Sequence, residues 1–148
     1  MHENYMQLAI EQAKLALSAG EVPVGAVVVC GDQVISAAHN ERELQCDPTA
    51  HAEVLALRRA AKVLGRRRLN GCRIYVTLEP CPMCAGAIVM SGIDAVYYGA
   101  PDEKAGCAGS LYALPEDAAF GKVVPCSGNL MHQACKEVLD EFFNDKRG

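Results

Sequence analysis

Two cysteines, Cys81 and Cys84, stand three residues apart in the stretch T-L-E-P-C-P-M-C, directly after a run that reads as a buried strand. Cysteines at this spacing near a helix start are typical of a thioredoxin-like redox pair, of half a structural zinc site, or of a catalytic metal site. A structural zinc site needs a second ligand pair at similar spacing, and the other cysteines of the chain do not supply one. The pair alone leaves the redox, structural and catalytic interpretations open.

A second fragment upstream, D-P-T-A-H-A-E, contains His51 and Glu53. Alone, a histidine here is most often a core or capping residue, and a glutamate near a helix start favours the helix dipole. Together with Cys81 and Cys84 they make a specific prediction, because one imidazole and two thiolates leave the fourth tetrahedral position of a zinc ion open, as catalytic sites do. Glu53 would then be the free carboxylate beside that position, able to move a proton.

Helices and strands alternate along the chain, which is typical of a partly parallel sheet covered by crossover helices. The apolar period and the turn residues predict helices at 3–19, 48–64, 83–90 and 130–144. They predict strands at 24–30, 33–38, 72–78 and 95–99, with a short final strand at 123–124. The first two strands flank Gly31-Asp32 as a hairpin would, so the sheet must be mixed. We therefore expect one α/β domain over residues 1–148, a three-layer α/β/α arrangement with a central mixed sheet of about five strands.

The helix predicted at 48–64 raises a geometric difficulty. Asp47 is expected to cap it and Pro48 to occupy its first position. His51 and Glu53 then lie two residues apart on one helix, where side chains point to nearly opposite sides. Both can serve one site only if the metal lies near the helix end, or if the first turn departs from ideal geometry.

Composition and charge exclude several classes of protein. The net charge of −4 argues against nucleic-acid binding through the whole surface, although Arg66–Arg68, Lys146 and Arg147 offer local positive charge. No apolar run approaches the roughly 18 residues of a membrane span, and the first residues do not read as a signal peptide. We therefore expect a cytoplasmic protein with no membrane partner, in which most of the eight cysteines are reduced.

Several segments beyond the His-x-Glu and Pro-Cys-x-x-Cys motifs resemble bacterial tRNA-specific adenosine deaminases, in the zinc-dependent cytidine/deoxycytidylate deaminase superfamily. The matching segments are P-V-G-A-V (23–27), H-N (39–40), D-P-T-A-H-A-E (47–53), T-L-E-P-C-P-M-C-A-G-A (77–87), Y-G-A-P-D-E-K-A-G-C-A-G-S-L (98–111) and E-F-F (141–143). They extend over nearly the whole chain. The resemblance implies a cytidine deaminase-like fold and the hydrolytic deamination of adenosine to inosine at the wobble position of a tRNA anticodon.

The resemblance also assigns the roles in that reaction. His51, Cys81 and Cys84 would hold one zinc ion per subunit, and no organic cofactor is implied. A zinc-bound hydroxide would attack C6 of the base, while Glu53 carries the water's proton to the adenine ring and to the departing ammonia.

A set of substrate-binding residues is implied in the same way, facing the base or the surrounding anticodon stem-loop: Pro23, Val24, Asn40, Ala52, Ala100, Asp102, Lys104, Phe142 and Phe143. Asn40 would hydrogen-bond the nucleotide, the backbone of Ala52 would read the base, and Pro23 and Val24 would wall the site. Ala100, Asp102 and Lys104 lie in a segment that resembles an RNA-contacting loop. The two phenylalanines resemble an aromatic element near the anticodon, with core packing as the alternative for Phe142.

The apolar helix predicted at 83–90 must be buried on more than one side. It can pack inside the subunit or form the interface of a homodimer, and the resemblance implies the homodimer. Cys107 departs from the resemblance, and its role is left open.

Two other functions remain to be weighed. A zinc deaminase of a free nucleobase or nucleotide, of the cytosine, guanine or dCMP type, would use the same metal site. A non-catalytic zinc or redox module would explain Cys81 and Cys84 and leave Glu53 without a role.

Overall fold

The chain alternates between helices and strands in the computed structural model, which describes the backbone of residues 1–147 and the side chains of residues 1–144. The helices are α1 (His2–Ser18), α2 (Ala52–Leu64), α3 (Pro82–Ser91) and α4 (His132–Arg147). The strands are β1 (Gly25–Cys30), β2 (Gln33–His39), β3 (Cys72–Leu78), β4 (Ala95–Ala100) and β5 (Cys126–Ser127).

The five strands form one sheet in the order β2-β1-β3-β4-β5. β1 is antiparallel to both β2 and β3, whereas β3, β4 and β5 run parallel to one another. A tight turn at Gly31, whose φ is 62°, joins β1 to β2, and a crossover through α3 returns the chain parallel to β3. The predicted mixed sheet of about five strands is therefore confirmed.

Helices cover both faces of this sheet. Gly25 in β1 lies against α1 so closely that a Cβ there would meet the backbone of Ala9 and Ala13. Side chains of neighbouring strand residues alternate between faces, and on the opposite face Ser36 Oγ in β2 donates a 2.8 Å hydrogen bond to the carbonyl of Ala56 in α2. α4 packs on β4 beside α1, and α3 packs beside α2. This arrangement confirms the three-layer α/β/α prediction.

α2 begins at Ala52, so the prediction of a helix from residue 48 was wrong at this end. Asp47 forms a local turn instead of a helix cap, because its Oδ1 accepts hydrogen bonds from both the amide and the hydroxyl of Thr49. The N-cap is His51, which has extended backbone angles of φ −78° and ψ 149°. The C-terminal end at Gly65 is as predicted, with φ of 66°.

The position predicted for the last strand was also wrong. Residues 123–124 are not a strand, and the pairing with β4 falls on Cys126 and Ser127 instead. The amide of Val124 bonds to the carbonyl of Pro115, and its side chain is buried, so its apolar character reflects core packing.

The segment between β4 and β5 is mostly irregular, with short 3-10 turns at Leu114–Glu116 and Ala118–Phe120. Its first part, residues 102–110, is called the 102–110 loop below. Across the described residues, each helix is either too short or too polar to cross a bilayer.

Candidate metal and catalytic site

His51, Cys81 and Cys84 meet at one point although they are distant in the chain. The Nδ1 atom of His51 lies 3.7 Å from the sulfur of Cys81 and 3.5 Å from the sulfur of Cys84. One ligand atom from each residue lies within 4.8 Å of the others. Zinc–sulfur bonds of about 2.3 Å and zinc–nitrogen bonds of about 2.0 Å at a tetrahedral angle place S and N about 3.5 Å apart. The donor set therefore fits a tetrahedral zinc ion.

Two helix N-termini bring these donors together. His51 is the N-cap of α2, and Cys81 is the N-cap of α3 with extended angles of φ −76° and ψ 174°. Pro82 occupies the first helical position, where its missing N–H costs nothing, and Cys84 follows in the first turn. The positive ends of both helices favour thiolate at the site.

The extended conformation of His51 removes the geometric difficulty raised by the sequence. Because His51 precedes the helix, its side chain does not follow the helical spacing that would turn it away from Glu53. Glu53 lies in the first turn of α2 and is 4% exposed. Both side chains line the same cavity, which has a volume of about 160 Å³ and also contacts Cys81.

The carboxyl of Glu53 has a perturbed affinity for protons. Burial raises its pKa to about 7, against smaller effects from hydrogen bonds and from the charge of His51. An acid that titrates near neutrality can both accept and donate a proton under physiological conditions.

Contacts among the two sulfurs and the imidazole shift the pKa values of all three groups. The pKa of Cys81 falls to about 4, mainly because Cys84 hydrogen-bonds its sulfur and, against the effect of burial, because His51 lies beside it. The same Cys81 contact and burial raise the pKa of Cys84. The hydrogen bond to Cys81 also raises the pKa of His51.

Asn40 lies against the cavity and joins two parts of its wall. Its Oδ1 accepts a 2.8 Å hydrogen bond from the amide of Ala52, and its Nδ2 donates a 2.9 Å bond to the carbonyl of Val22. Nδ2 carries a second hydrogen and can therefore donate one further bond. The Ala52 amide is bonded within the chain to Asn40.

Pro23 and Val24 are buried at the start of β1, and Val24 lines the cavity. The cavity adjoins a wider groove of about 610 Å³, with which it shares Val22, Leu78 and Asp102. The cavity and the groove therefore lie side by side.

The remaining predicted residues lie along or behind this groove. Ala100, Asp102, Lys104 and Phe143 line it, and the side chain of Phe143 is 46% exposed. Phe142 is buried and meets Phe143 edge to face at a centroid distance of 5.3 Å. Phe142 therefore packs against Phe143 and away from solvent.

The basic cluster at Arg66–Arg68 is not brought to the site. It follows the C-terminal end of α2, whereas His51 stands at the N-terminal end. Arg66 donates hydrogen bonds to Asn70 and to the carbonyl of Arg68. The side chains of Lys146 and Arg147 lie outside the described residues.

Sequence reasoning missed Glu79, which lines the cavity and is 2% exposed. Its carboxylate bonds Asp102, Ala108 and Ser110, residues 23 to 31 positions later in the chain. It also missed Arg42, which lines the cavity from the loop after β2. The position of Glu79 directly after an apolar strand was the available signal, but no local period indicates such distant partners.

Comparison with known proteins agrees with this geometry. Residues 1–147 match the MafB19-like deaminase family model. The chain is 45% identical over 145 residues to a tRNA-specific adenosine deaminase of Bacillus subtilis, covering 98% of this chain and 90% of that protein. It is 41% identical over 145 residues to a tRNA-specific adenosine deaminase of Aquifex aeolicus, covering 98% of this chain and 95% of that protein.

Solved structures agree with the sequence comparison. One, described as a study of A-to-I editing by tRNA:A34 deaminases at the wobble position, superposes with a TM-score of 0.88. It is 38% identical and covers 92% of this chain and 99% of that chain. A guanine deaminase of Bacillus subtilis superposes with a TM-score of 0.66 at 43% identity, over 68% of this chain and 65% of that chain. Because the identity to the named relatives extends over nearly the whole sequence, this chain belongs to the tRNA-specific adenosine deaminase family, among the MafB19-like deaminases.

Proposed function

We propose that this deaminase converts adenosine to inosine at the wobble position of a tRNA anticodon. The reaction replaces the amino group at C6 of adenine with oxygen from water and releases ammonia. The observation that carries the proposal is the meeting of three donors, at a spacing that fits a metal ion, with the buried carboxylate of Glu53 in a cavity beside a wider groove. Membership of the family supports the choice of substrate.

The metal is proposed to be one zinc ion per subunit, held by His51, Cys81 and Cys84. The spacing of their donor atoms supports this assignment. These residues would hold a zinc ion, whose charge would lower the pKa of a coordinated water to about 7. Three protein ligands would leave one position of a four-coordinate zinc ion for that water.

Glu53 is proposed to carry the protons. Its raised pKa, about 7, lets the carboxylate accept a proton from water and, as the acid, return it to the purine ring and the leaving ammonia. The carboxyl is almost fully buried, and this burial keeps its pKa raised.

The substrate is proposed to enter with its base in the cavity and its neighbours in the groove. The free N–H of Asn40 would donate to the nucleotide, and Pro23, Val24 and Ala52 would contact the base. Ala100, Asp102, Lys104 and Phe143 would contact the flanking RNA, and Phe142 would support Phe143 from behind. An exposed phenylalanine beside a groove supports stacking of an unstacked base.

Two further properties belong to the proposal. The chain would act in the cytoplasm, where tRNA is present, and it would form a homodimer through α2 and α3. A shallow groove between these helices has an apolar floor that includes Leu57, Ala87 and Met90, and Met90 is 76% exposed. Such a surface supports burial against a second copy.

Metal analysis combined with activity tests the proposal. The purified protein is expected to contain about one zinc ion per subunit and to form inosine in an anticodon stem-loop. Chelation should remove both, and restored zinc should return activity. If the zinc-loaded protein leaves the stem-loop unmodified, the proposed tRNA substrate is rejected.

Deamination of a free base is the second candidate, because a guanine deaminase superposes on much of the chain at 43% identity. Ammonia release from guanine, cytosine and dCMP should be measured beside inosine formation in the stem-loop. Rapid turnover of a free base with an inert stem-loop would favour this second candidate.

A further inference from the structure

We infer that Glu79 is a positioning residue that fixes the 102–110 loop against the groove, and the consequence for RNA rests on the function proposed above. Glu79 follows β3 directly and is 2% exposed. Its oxygens point away from solvent into the loop that lines the proposed RNA groove. No proton transfer is assigned to it.

Four hydrogen bonds join the Glu79 carboxylate to this loop. Oε1 accepts from the amide of Asp102 at 3.0 Å and from the hydroxyl of Ser110. Oε2 accepts from the amides of Ala108 at 3.0 Å and Ser110 at 2.9 Å. Each oxygen therefore has two donors, and both ends of the loop are attached to one side chain. A carboxylate bonded this way is a strong anchor, because each of its bonds is charge-assisted.

The loop encloses the carboxylate so closely that a side chain at its middle would not fit. A Cβ added to Gly106 would meet the carboxyl group of Glu79 and the carbonyl of Asp102. The backbone adds two bonds beside the carboxylate, from the amide of Glu79 to Ala100 at 2.9 Å and from the amide of Cys107 to Pro80 at 2.7 Å. The loop is thus held at its start, middle and end.

The anchored segment carries side chains that face both the cavity and the groove. Asp102 lines both spaces, Ala105 lines the cavity, and Glu103 and Lys104 line the groove. The side chain of Asp102 in turn accepts bonds from the amides of Lys104 and Ala105 at 3.0 and 3.1 Å. A loop released from Glu79 would therefore move the groove wall, whereas His51, Cys81 and Cys84 stay on their helices.

Replacement by glutamine separates anchoring from chemistry. Glu79→Gln keeps the side chain's shape but turns one acceptor oxygen into an NH₂ group. Whichever oxygen is replaced, one or two loop amides lose their acceptor. Ser110→Ala is the milder variant and removes the hydroxyl bond alone. Ser36→Ala is the matched control, because it removes a buried hydrogen bond under α2, away from this loop.

Three measurements on the full-length zinc-loaded protein test the inference: amide hydrogen exchange, steady-state kinetics on an anticodon stem-loop, and metal content. In Glu79→Gln we expect one or two of the amides of Asp102, Ala108 and Ser110 to exchange about tenfold faster or more, since a bond to a charged group is being lost. KM for the stem-loop should rise by about the same factor, with kcat within about threefold and zinc content unchanged. Ser36→Ala should leave exchange in the 102–110 loop as in the wild type.

Several outcomes would overturn the inference. Unchanged exchange in the loop would mean that Glu79 does not hold it. A fall in kcat at constant KM would place Glu79 in the chemical step. If Glu79→Gln does not fold, Ser110→Ala should show faster exchange in the 102–110 loop and a raised KM, both smaller than those expected for Glu79→Gln. A Ser110→Ala variant without these changes would then reject the inference. A wild type that is inert on the stem-loop would reject the proposed function, and the exchange data would still decide whether Glu79 anchors the loop.

Discussion

Two buried glutamates beside one cavity have opposite environments. Glu53 and Glu79 are 4% and 2% exposed, and both line the cavity. Burial raises the pKa of Glu53 to about 7. Burial also acts to raise the pKa of Glu79, but hydrogen bonds from Ser110, Asp102 and Ala108 outweigh it and lower that pKa. Burial alone therefore does not identify a proton carrier. The number of hydrogen-bond donors around the carboxylate decides whether its pKa is raised or lowered.

The same contrast separates the surroundings of the two groups. Glu53 stands in the first turn of α2, beside residues held by helix ends, so its position depends little on loops. Glu79 stands at the end of β3, and its partners come from an irregular segment. A helix, α2, positions the proposed proton carrier. The 102–110 loop, which is hydrogen-bonded to Glu79, forms part of the groove proposed to contact the substrate.

The largest expected effect follows from Glu53→Gln. Since glutamine cannot accept or donate a proton in this role, kcat should fall by roughly 10²–10⁴-fold. Zinc content and the unfolding midpoint should remain close to those of the wild type, because the replacement is nearly isosteric. Inosine formation measures turnover, metal analysis measures zinc content, and urea titration measures the unfolding midpoint. Wild-type turnover in this variant would show that Glu53 does not carry the protons. The two glutamates would then no longer differ in function as proposed.

A smaller effect is expected when Gly106 is replaced by alanine. The added methyl would press on the Glu79 carboxyl and on the carbonyl of Asp102, so the loop must shift. We expect a loss of about 1–3 kcal/mol in the free energy of unfolding, measured with urea. Gly86→Ala is the control, because a Cβ there meets nothing within 4 Å. In that helical position alanine should be neutral or stabilising. Equal losses in both variants would contradict a close fit around Glu79.

The smallest effect is expected for Ser110→Ala. It leaves three of the four bonds to Glu79, all from backbone amides. The loss in unfolding free energy should be about 0.5–1.5 kcal/mol, as for one hydrogen bond. Urea titration of the variant and the wild type at one pH provides the comparison. A loss as large as that of Gly106→Ala would mean that the hydroxyl, and not the amides, is the main anchor.

Much of the fold was predictable because its signals are local. These signals come from residues whose conformational preferences act within a few positions. Examples are Gly31 in the hairpin, Gly65 at the end of α2 and Pro82 at the start of α3. The start of α2 was not predictable in the same way. Asp47 and Pro48 offered a plausible start, but the hydrogen bonds from Thr49 to Asp47 and from Ala52 to Asn40 stabilise a turn there instead.

The sequence by itself pointed to the donors and the acid of the proposed site, because His51, Glu53, Cys81 and Cys84 are a chemical set that can be read without coordinates. Only the tertiary structure decided how they meet: His51 as an extended N-cap, two helix ends converging, and the donor atoms 3.5 and 3.7 Å apart. It also decided the role of Glu79, since a carboxylate becomes an anchor through the donors folded around it. Those donors lie far along the chain, where local sequence preference has no influence.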